Sequence, residues 1–151
     1  MQIELLKESL TAVLERYRKY ESYLQYPGEW GERAFRGWLV FDIFHNHLQW
    51  PMPNIVFGER FDVLFVDGAV KPVIYLETKK PERGLADLNA FRQRIGKFET
   101  LVWAVLTDGY KWLRVDCVRN EEQNLSTYET ELTDWKDFFR VFGATNYIYG
   151  V

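Results

Sequence analysis

A carboxylate and an ammonium group lie two residues apart at the end of a predicted buried strand. Val73–Leu76 is a run of four apolar residues, and Glu77, Thr78 and Lys79 follow it directly. Asp62 lies inside the preceding apolar segment, where an unpaired charge is costly to bury. Since side chains two apart on a strand share a face, Glu77 and Lys79 should point the same way. The sequence therefore predicts a group of charged side chains at one end of a sheet.

These residue types suit metal-assisted chemistry. If Asp62 and Glu77 lie on neighbouring strands of a hairpin, their carboxylates repel and each raises the pKa of the other. A cation that prefers hard oxygen ligands, Mg²⁺ or Mn²⁺, removes that repulsion. Lys79 would orient or deprotonate an attacking water and stabilise charge in the transition state. The pattern indicates phosphodiester hydrolysis, and the alternative is an Asp62–Lys79 ion pair with Glu77 solvated.

The elements that must position these residues can be predicted from hydrophobic periodicity and turn residues. The predicted helices cover 1–26, 29–48, 85–97 and 131–142. The predicted strands cover 54–57, 60–66, 72–78, 101–107 and 110–118. Asp67-Gly68 and Asp108-Gly109 are typical hairpin turns, and the polar stretch 119–130 is predicted to be a loop. In the second helix, the residues expected to face inward are Trp30, Ala34, Trp38, Phe41 and either Phe44 or His45.

This order of elements predicts one α/β domain over 1–151. Its core covers 29–118, with an added N-terminal helix over 1–26 and a C-terminal helix over 131–142. The predicted helix 85–97 connects the third strand to the fourth as a crossover, so the sheet should be mixed and covered on both faces. The narrow apolar seam of the N-terminal helix favours packing on its own domain and leaves open a homodimer through this helix.

Composition and charge exclude several classes of protein. Hydrophobic residues make up 47% and aromatic residues 17% of the chain, which predicts a folded domain, and no segment approaches the roughly 18 apolar residues of a membrane span. The single Cys117 favours a reducing, cytoplasmic setting, which for a viral protein is the host cytoplasm. The net charge of −3 argues against a general nucleic-acid coating protein, yet 77–97 carries six basic residues against three acidic ones. That patch fits either a polyanion contact or a solvated helix face.

Four stretches in sequence order resemble the PD-(D/E)xK restriction-endonuclease-like superfamily. They are FDVLFVDG, KPVIYLETKKP, LADLNAFRQRIGKF and LVWAVLTDGYKWLR. Within the superfamily, the chain is similar to the nuclease domains at the N-terminus of type I restriction motor subunits. The resemblance covers 29 to about 116 and implies a restriction-endonuclease-like mixed sheet with an αβββαβ core, flanked by helices. It also implies a Mg²⁺-dependent deoxyribonuclease, served by Mn²⁺ as well, that cuts as an endonuclease rather than an exonuclease.

The resemblance implies roles for individual residues. Asp62, Glu77 and Lys79 match the catalytic motif, and Asp62 and Glu77 match its metal-binding acids. Glu32 is similar to the additional acid on the helix before the sheet, which assists metal binding, and Glu29 is the alternative for that role. The other interpretation of Glu32 is a surface carboxylate in an ion pair along its helix.

The expected partner is DNA. Gln93 is similar to the glutamine of the family's Q-x-x-x-Y element, although Lys97 stands where a tyrosine is expected. The predicted nucleic-acid contacts are Lys80, Gln93, Arg92, Arg94 and Lys97. The alternative function is a catalytically silent nuclease-fold module that binds nucleic acid or a protein within a larger restriction, defence or viral complex.

Overall fold

The computed structural model describes residues 3–24 and 30–148, in which a six-stranded sheet is layered with four α-helices. The α-helices are α1 (Ile3–Leu24), α2 (Trp30–Leu39), α3 (Leu88–Ile95) and α4 (Leu132–Arg140). The strands are β1 (Ile55–Phe57), β2 (Val63–Val66), β3 (Pro72–Thr78), β4 (Trp103–Thr107), β5 (Lys111–Asp116) and β6 (Glu121–Ser126). A π-helical stretch, Val40–His45, continues α2, and short 3₁₀ turns cover Met52–Asn54 and Ala144–Asn146.

The sheet has the strand order β1-β2-β3-β4-β5-β6. All neighbours are antiparallel except β3 and β4, which are parallel and are connected through α3. Parallel neighbours need such a crossover, whereas antiparallel neighbours can be joined by short turns. The predicted mixed α/β sheet is therefore confirmed.

Each face of the sheet carries its own apolar layer because side chains alternate along the strands. One layer joins the sheet to α1, α2 and α4, and its strand residues include Val63, Phe65, Ile74, Leu76, Val105 and Trp112. The other layer joins the sheet to α3, and it includes Leu64, Tyr75, Phe91, Leu106 and Leu113. Because β3 contributes to both layers, Val73–Leu76 is buried on both sides, as the apolar run predicts.

The apolar seam of α1 packs on its own domain. Its buried residues are Leu6, Leu10, Val13, Leu14 and Tyr17. They belong to the same layer as residues of α2 and α4, so the favoured of the two interpretations of this seam is confirmed. Within the described part of the chain, no helix combines the length and apolar character needed to cross a membrane.

The strand prediction was wrong in two places. The stretch 119–130 is not a loop, because Glu121–Ser126 forms β6 and pairs with β5. This edge strand buries only Leu125, so it lacks the apolar alternation from which a strand is recognised. Strand β2 begins at Val63 rather than at residue 60. Alternation along a strand from residue 60 would place Phe61 and Leu64 on opposite faces, but both pack in the α3 layer because Phe61 precedes the strand.

The predicted inward face of the second helix was wrong in part. Trp30 and Phe41 are exposed, whereas Phe44 is buried as predicted. Phe35 and Leu39, which were not predicted to face inward, are fully buried. Large apolar side chains occur on both sides of this helix, so periodicity alone selects the wrong stripe. The correction matters for the site, because Glu32 and Arg36 lie on the same side of the helix as Phe35, one turn apart.

Candidate active site at the end of the sheet

Asp62, Glu77 and Lys79 come together at the end of the β2–β3 hairpin. Val63 pairs with Leu76, which places Asp62 and Glu77 one step further along the ladder. The Thr78 N–H donates to Asp62 Oδ2 at 2.9 Å, and Lys79 Nζ lies 3.6 Å from Glu77 Oε2. The structure thus brings together the three side chains selected from the sequence.

The Glu77 carboxylate is almost entirely buried, with 4% of its side chain exposed. Its Oε1 accepts hydrogen bonds from the Tyr75 hydroxyl and from Arg94 Nη1, each at 2.7 Å. Its Oε2 is buried without a hydrogen-bond partner among the described residues. The alternative in which Glu77 is solvated is therefore wrong.

Arg36 is the cation that pairs with Asp62, so the alternative of an Asp62–Lys79 pair is wrong as well. Its Nη2 lies 3.2 Å from Asp62 Oδ1 and 3.4 Å from Glu32 Oε1. Its Nε donates to Thr78 Oγ1 at 3.0 Å. The ion pair between Glu32 and Arg36 along α2 is confirmed, and the same guanidinium links α2 to the acid that precedes β2 and to the end of β3.

Burial and mutual repulsion raise the pKa of two of these acids. Burial is the main cause of the raised pKa of Glu32, and the nearby Asp62 carboxylate adds to it. Burial also raises the pKa of Asp62, with Glu77 adding to the effect, while Arg36 and the Thr78 N–H oppose it. A cation placed here would stabilise the charged forms of both acids.

The site forms where the two layers of the protein meet. Glu32 and Arg36 come from the α2 layer, whereas Glu77 points into the α3 layer with Tyr75. Two clefts, of about 640 and 180 Å³, lie at this edge, and Glu32, Glu59 and Asp62 line both. The smaller cleft is lined by Glu32, Glu59, Arg60, Phe61, Asp62, Tyr75, Glu77, Lys79 and Arg94.

Several residues of the site were not found from the sequence. Tyr75 shares a strand face with Glu77, a signal available from spacing alone. Arg36, Glu59 and the pairing of Arg94 with Glu77 depend on contacts between distant segments, for which the sequence offered no signal. Glu29, the alternative helix acid, lies outside the described residues.

The donor atoms suit Mg²⁺, although they are not gathered as a ready-made cluster. Among the residues in 3–24 and 30–148, no group of three or more His, Cys, Asp or Glu side chains is arranged to hold a metal ion. Glu77 Oε2, which accepts no hydrogen bond from the described residues, and the carboxylate of Asp62 are the hard oxygen donors that Mg²⁺ prefers. Arg36 now neutralises Asp62 and Glu32, so it competes with any cation that binds these two acids.

The five residues predicted to contact nucleic acid differ in burial and in their ion pairs within the protein. Arg94 is engaged with Glu77, and Arg92 donates to both carboxylate oxygens of Glu122 on β6 at 2.6 and 3.0 Å. Gln93 and Lys97 are exposed on or just after α3. Lys80 is half-buried and its Cε lies beside Gly31 of α2, 3.0 Å from where a Cβ would be.

Comparisons of the chain with protein-family models, with curated proteins and with solved structures gave no match.

Proposed function

We propose that this protein is a Mg²⁺-dependent deoxyribonuclease of restriction-endonuclease-like architecture, in which Mn²⁺ can replace Mg²⁺. One observation carries the proposal. The buried Glu77 carboxylate has one oxygen without a hydrogen-bond partner, and that oxygen lies 3.6 Å from Lys79, beside Asp62. Apart from this ion pair, the oxygen accepts no hydrogen bond from the described residues, which makes it a candidate ligand.

The order of elements supports the same proposal. Helix α2, strands β1 to β3, helix α3 and strand β4 follow one another as αβββαβ. The acids and the lysine lie at the end of β3, next to its parallel neighbour β4. Backbone bonding fixes this end, since the Lys79 N–H donates to the Thr107 carbonyl at 2.8 Å.

Each side chain has a task in the proposed reaction. Asp62 and Glu77, assisted by Glu32, would hold the metal, which supplies Lewis-acid polarisation of the phosphodiester and a lowered pKa of bound water. Tyr75 and Arg94 fix Glu77 through Oε1 and so leave Oε2 available. The Lys79 ammonium donates to the attacking water or to the developing charge on the phosphate oxygens.

A cleavage assay with a lysine variant tests the proposal. Single-stranded, nicked and duplex DNA would be incubated with Mg²⁺ or Mn²⁺ and either the wild type or Lys79→Ala. We expect Lys79→Ala to lower the cleavage rate by about 10²-fold or more. Lys136→Ala, which removes an exposed lysine from α4, is the matched control and should cut normally. Equal cleavage by the wild type and a folded Lys79→Ala variant would refute the mechanism, and closed circular DNA distinguishes endonuclease from exonuclease cleavage.

A catalytically silent module is the second candidate, and the arginines favour it. Arg36 neutralises Glu32 and Asp62, and Arg94 neutralises Glu77, so the acids are already compensated by the protein. Such a module would bind DNA or a protein partner without needing a divalent cation. Calorimetric titration of Mn²⁺ into wild type and Asp62→Asn separates the candidates. Binding that Asp62→Asn abolishes supports the nuclease, and absence of binding to wild type supports the module.

A further inference from the structure

Another cleft, of about 330 Å³, lies between α1 and the turn that follows β4. It is separate from the carboxylates, yet it lies at the end of the sheet where β3 and β4 both finish. Its lining includes Lys7, Arg18, Tyr110, Thr127, Tyr128 and Trp135. The proposed hydrolysis uses none of these residues.

The most prominent feature of this cleft is a stack of two tyrosines. The rings of Tyr110 and Tyr128 are nearly parallel, at 13°, with centroids 5.0 Å apart. Tyr110 is buried, whereas 70% of Tyr128 is exposed. The guanidinium of Arg18 lies over the Tyr110 ring at 5.6 Å from its centroid. The stack therefore supports an exposed, flat aromatic surface, and planar aromatic groups favour offset stacking on such a surface.

Positive charge accompanies the aromatic rings. The Lys7 ammonium lies 5.0 Å from the centroid of the Trp135 ring, and Arg18 lies over Tyr110. One acid, Glu15, also lines the cleft, and Arg18 is paired with the exposed Glu82. The cations therefore outnumber the acid in the lining, which favours a ligand that carries negative charge.

We infer that this cleft binds a nucleotide. The base stacks on the exposed ring of Tyr128, and its phosphate pairs with Arg18, which lies over the neighbouring Tyr110 ring. The volume is at the lower end of that of small-molecule pockets, which suits one nucleotide. A free mononucleotide and a nucleotide within a single strand present this same chemistry.

The location of the cleft connects it with the candidate active site. The Gly84 N–H donates to Asp108 Oδ2 at 2.8 Å, and Asp108 in turn accepts from the Tyr110 N–H at 2.9 Å. The segment that leads away from Lys79 is thus fastened to the turn that carries Tyr110. Binding in the cleft goes beyond the proposed hydrolysis, since no residue of the cleft holds the metal.

Binding without metal tests the inference. A fluorescently labelled deoxythymidine strand would be titrated in EDTA and followed by anisotropy, and thymidine monophosphate would be titrated by calorimetry. We expect Tyr128→Ala to weaken binding by about tenfold, since stacking on an aromatic side chain contributes this much per base. Tyr128→Trp should restore it. Tyr23→Ala, which removes a tyrosine that is 82% exposed on α1 outside the cleft, is the control and should bind normally.

The two sources of the nucleotide give different results. Equal affinity for the monophosphate and the strand assigns a free nucleotide, and much tighter binding of the strand assigns single-stranded DNA. Absence of binding or unchanged binding by Tyr128→Ala would overturn the inference. Because EDTA removes divalent metal, these outcomes do not depend on whether Lys79→Ala abolishes cleavage.

Discussion

The guanidinium of Arg36 bridges two carboxylates that come from different segments of the chain. Its Nη2 lies 3.2 Å from Asp62 and 3.4 Å from Glu32. The Arg36 side chain is only 15% exposed, so these interactions are weakly screened by solvent. Arg36 is thus both a structural link at the site and a competitor for any metal that the two acids bind.

Replacing Arg36 separates these two effects. We expect Arg36→Met to lower the free energy of unfolding at neutral pH by about 1–3 kcal/mol, because two half-buried carboxylates lose their cation. The same variant should bind Mn²⁺ more tightly than wild type, since the competing guanidinium is gone. Urea unfolding measures the first effect and calorimetry measures the second.

An exposed ion pair provides the control for Arg36→Met. Arg16 lies 3.4 Å from Asp42, and its side chain is 40% exposed. Arg16→Met should cost at most about 1 kcal/mol, as exposed pairs do, and should leave Mn²⁺ binding unchanged. Equal losses in the two variants, or unchanged Mn²⁺ affinity in Arg36→Met, would contradict the role given to Arg36.

The raised pKa of Glu32 makes stability depend on pH. The folded protein binds the Glu32 proton more tightly than the unfolded chain, whose reference pKa is 4.5. This group therefore favours folding at low pH, and its contribution is lost as pH rises from about 4.5 through the raised pKa. Glu32→Gln should reduce the fall in unfolding free energy between pH 4 and pH 7, as measured by urea titrations across this range.

Glu122 should behave in the opposite way. Its hydrogen bond to Arg92 holds the pKa of its carboxyl below the ordinary value, so its contribution to stability is present above pH 4.5 and is lost as pH falls. Glu122→Gln should therefore lose stability at pH 7 and little at low pH. The same pH dependence in both variants would contradict the assigned directions.

Gly109 holds the turn between β4 and β5 against α1 and α2. Its φ is +88°, and an added Cβ would lie 2.6 Å from Leu14 Cδ2 and 3.0 Å from Phe35 Cζ. We expect Gly109→Ala to lower the free energy of unfolding by roughly 2–4 kcal/mol through backbone strain and overpacking. Gly68→Ala is the control, since no atom lies within 4 Å of its added Cβ, and it should change stability by about 0.5 kcal/mol or less. Thermal and urea unfolding compare the two, and a neutral Gly109→Ala would show that this contact relaxes freely.

Cys117 should be an unreactive thiol in the folded protein. Burial, with a smaller effect from Asp116, raises its pKa to about 11. Since the thiolate is the reactive form, labelling by a disulfide reagent at pH 7.5 should be slow and should accelerate as pH rises. Urea-unfolded protein provides the reference rate, and equally fast labelling of folded protein would exclude this environment.

Two errors in the sequence-based prediction have a common cause. Strand β6 exposes most of its side chains because it pairs on one side only, so its six residues look like a loop. Helix α2 has large apolar residues on both sides, and the buried side is decided by contact with the sheet and α1 rather than by period. In both cases tertiary packing, which local patterns do not record, determines which side chains are buried.

The sequence by itself determined the order of most elements and the grouping of Asp62, Glu77 and Lys79. These follow from period-two alternation and from a hairpin between adjacent segments, which are local properties of the chain. Only the tertiary structure decided how the acids are compensated. Arg36 reaches Thr78 across 42 positions and Arg94 reaches Glu77 across 17, leaving one Glu77 oxygen buried without a hydrogen bond from the described residues. The stack of Tyr110 on Tyr128 likewise depends on the pairing of β6 with β5, which joins Lys111 to Ser126 and the Thr127 N–H to the Tyr110 carbonyl.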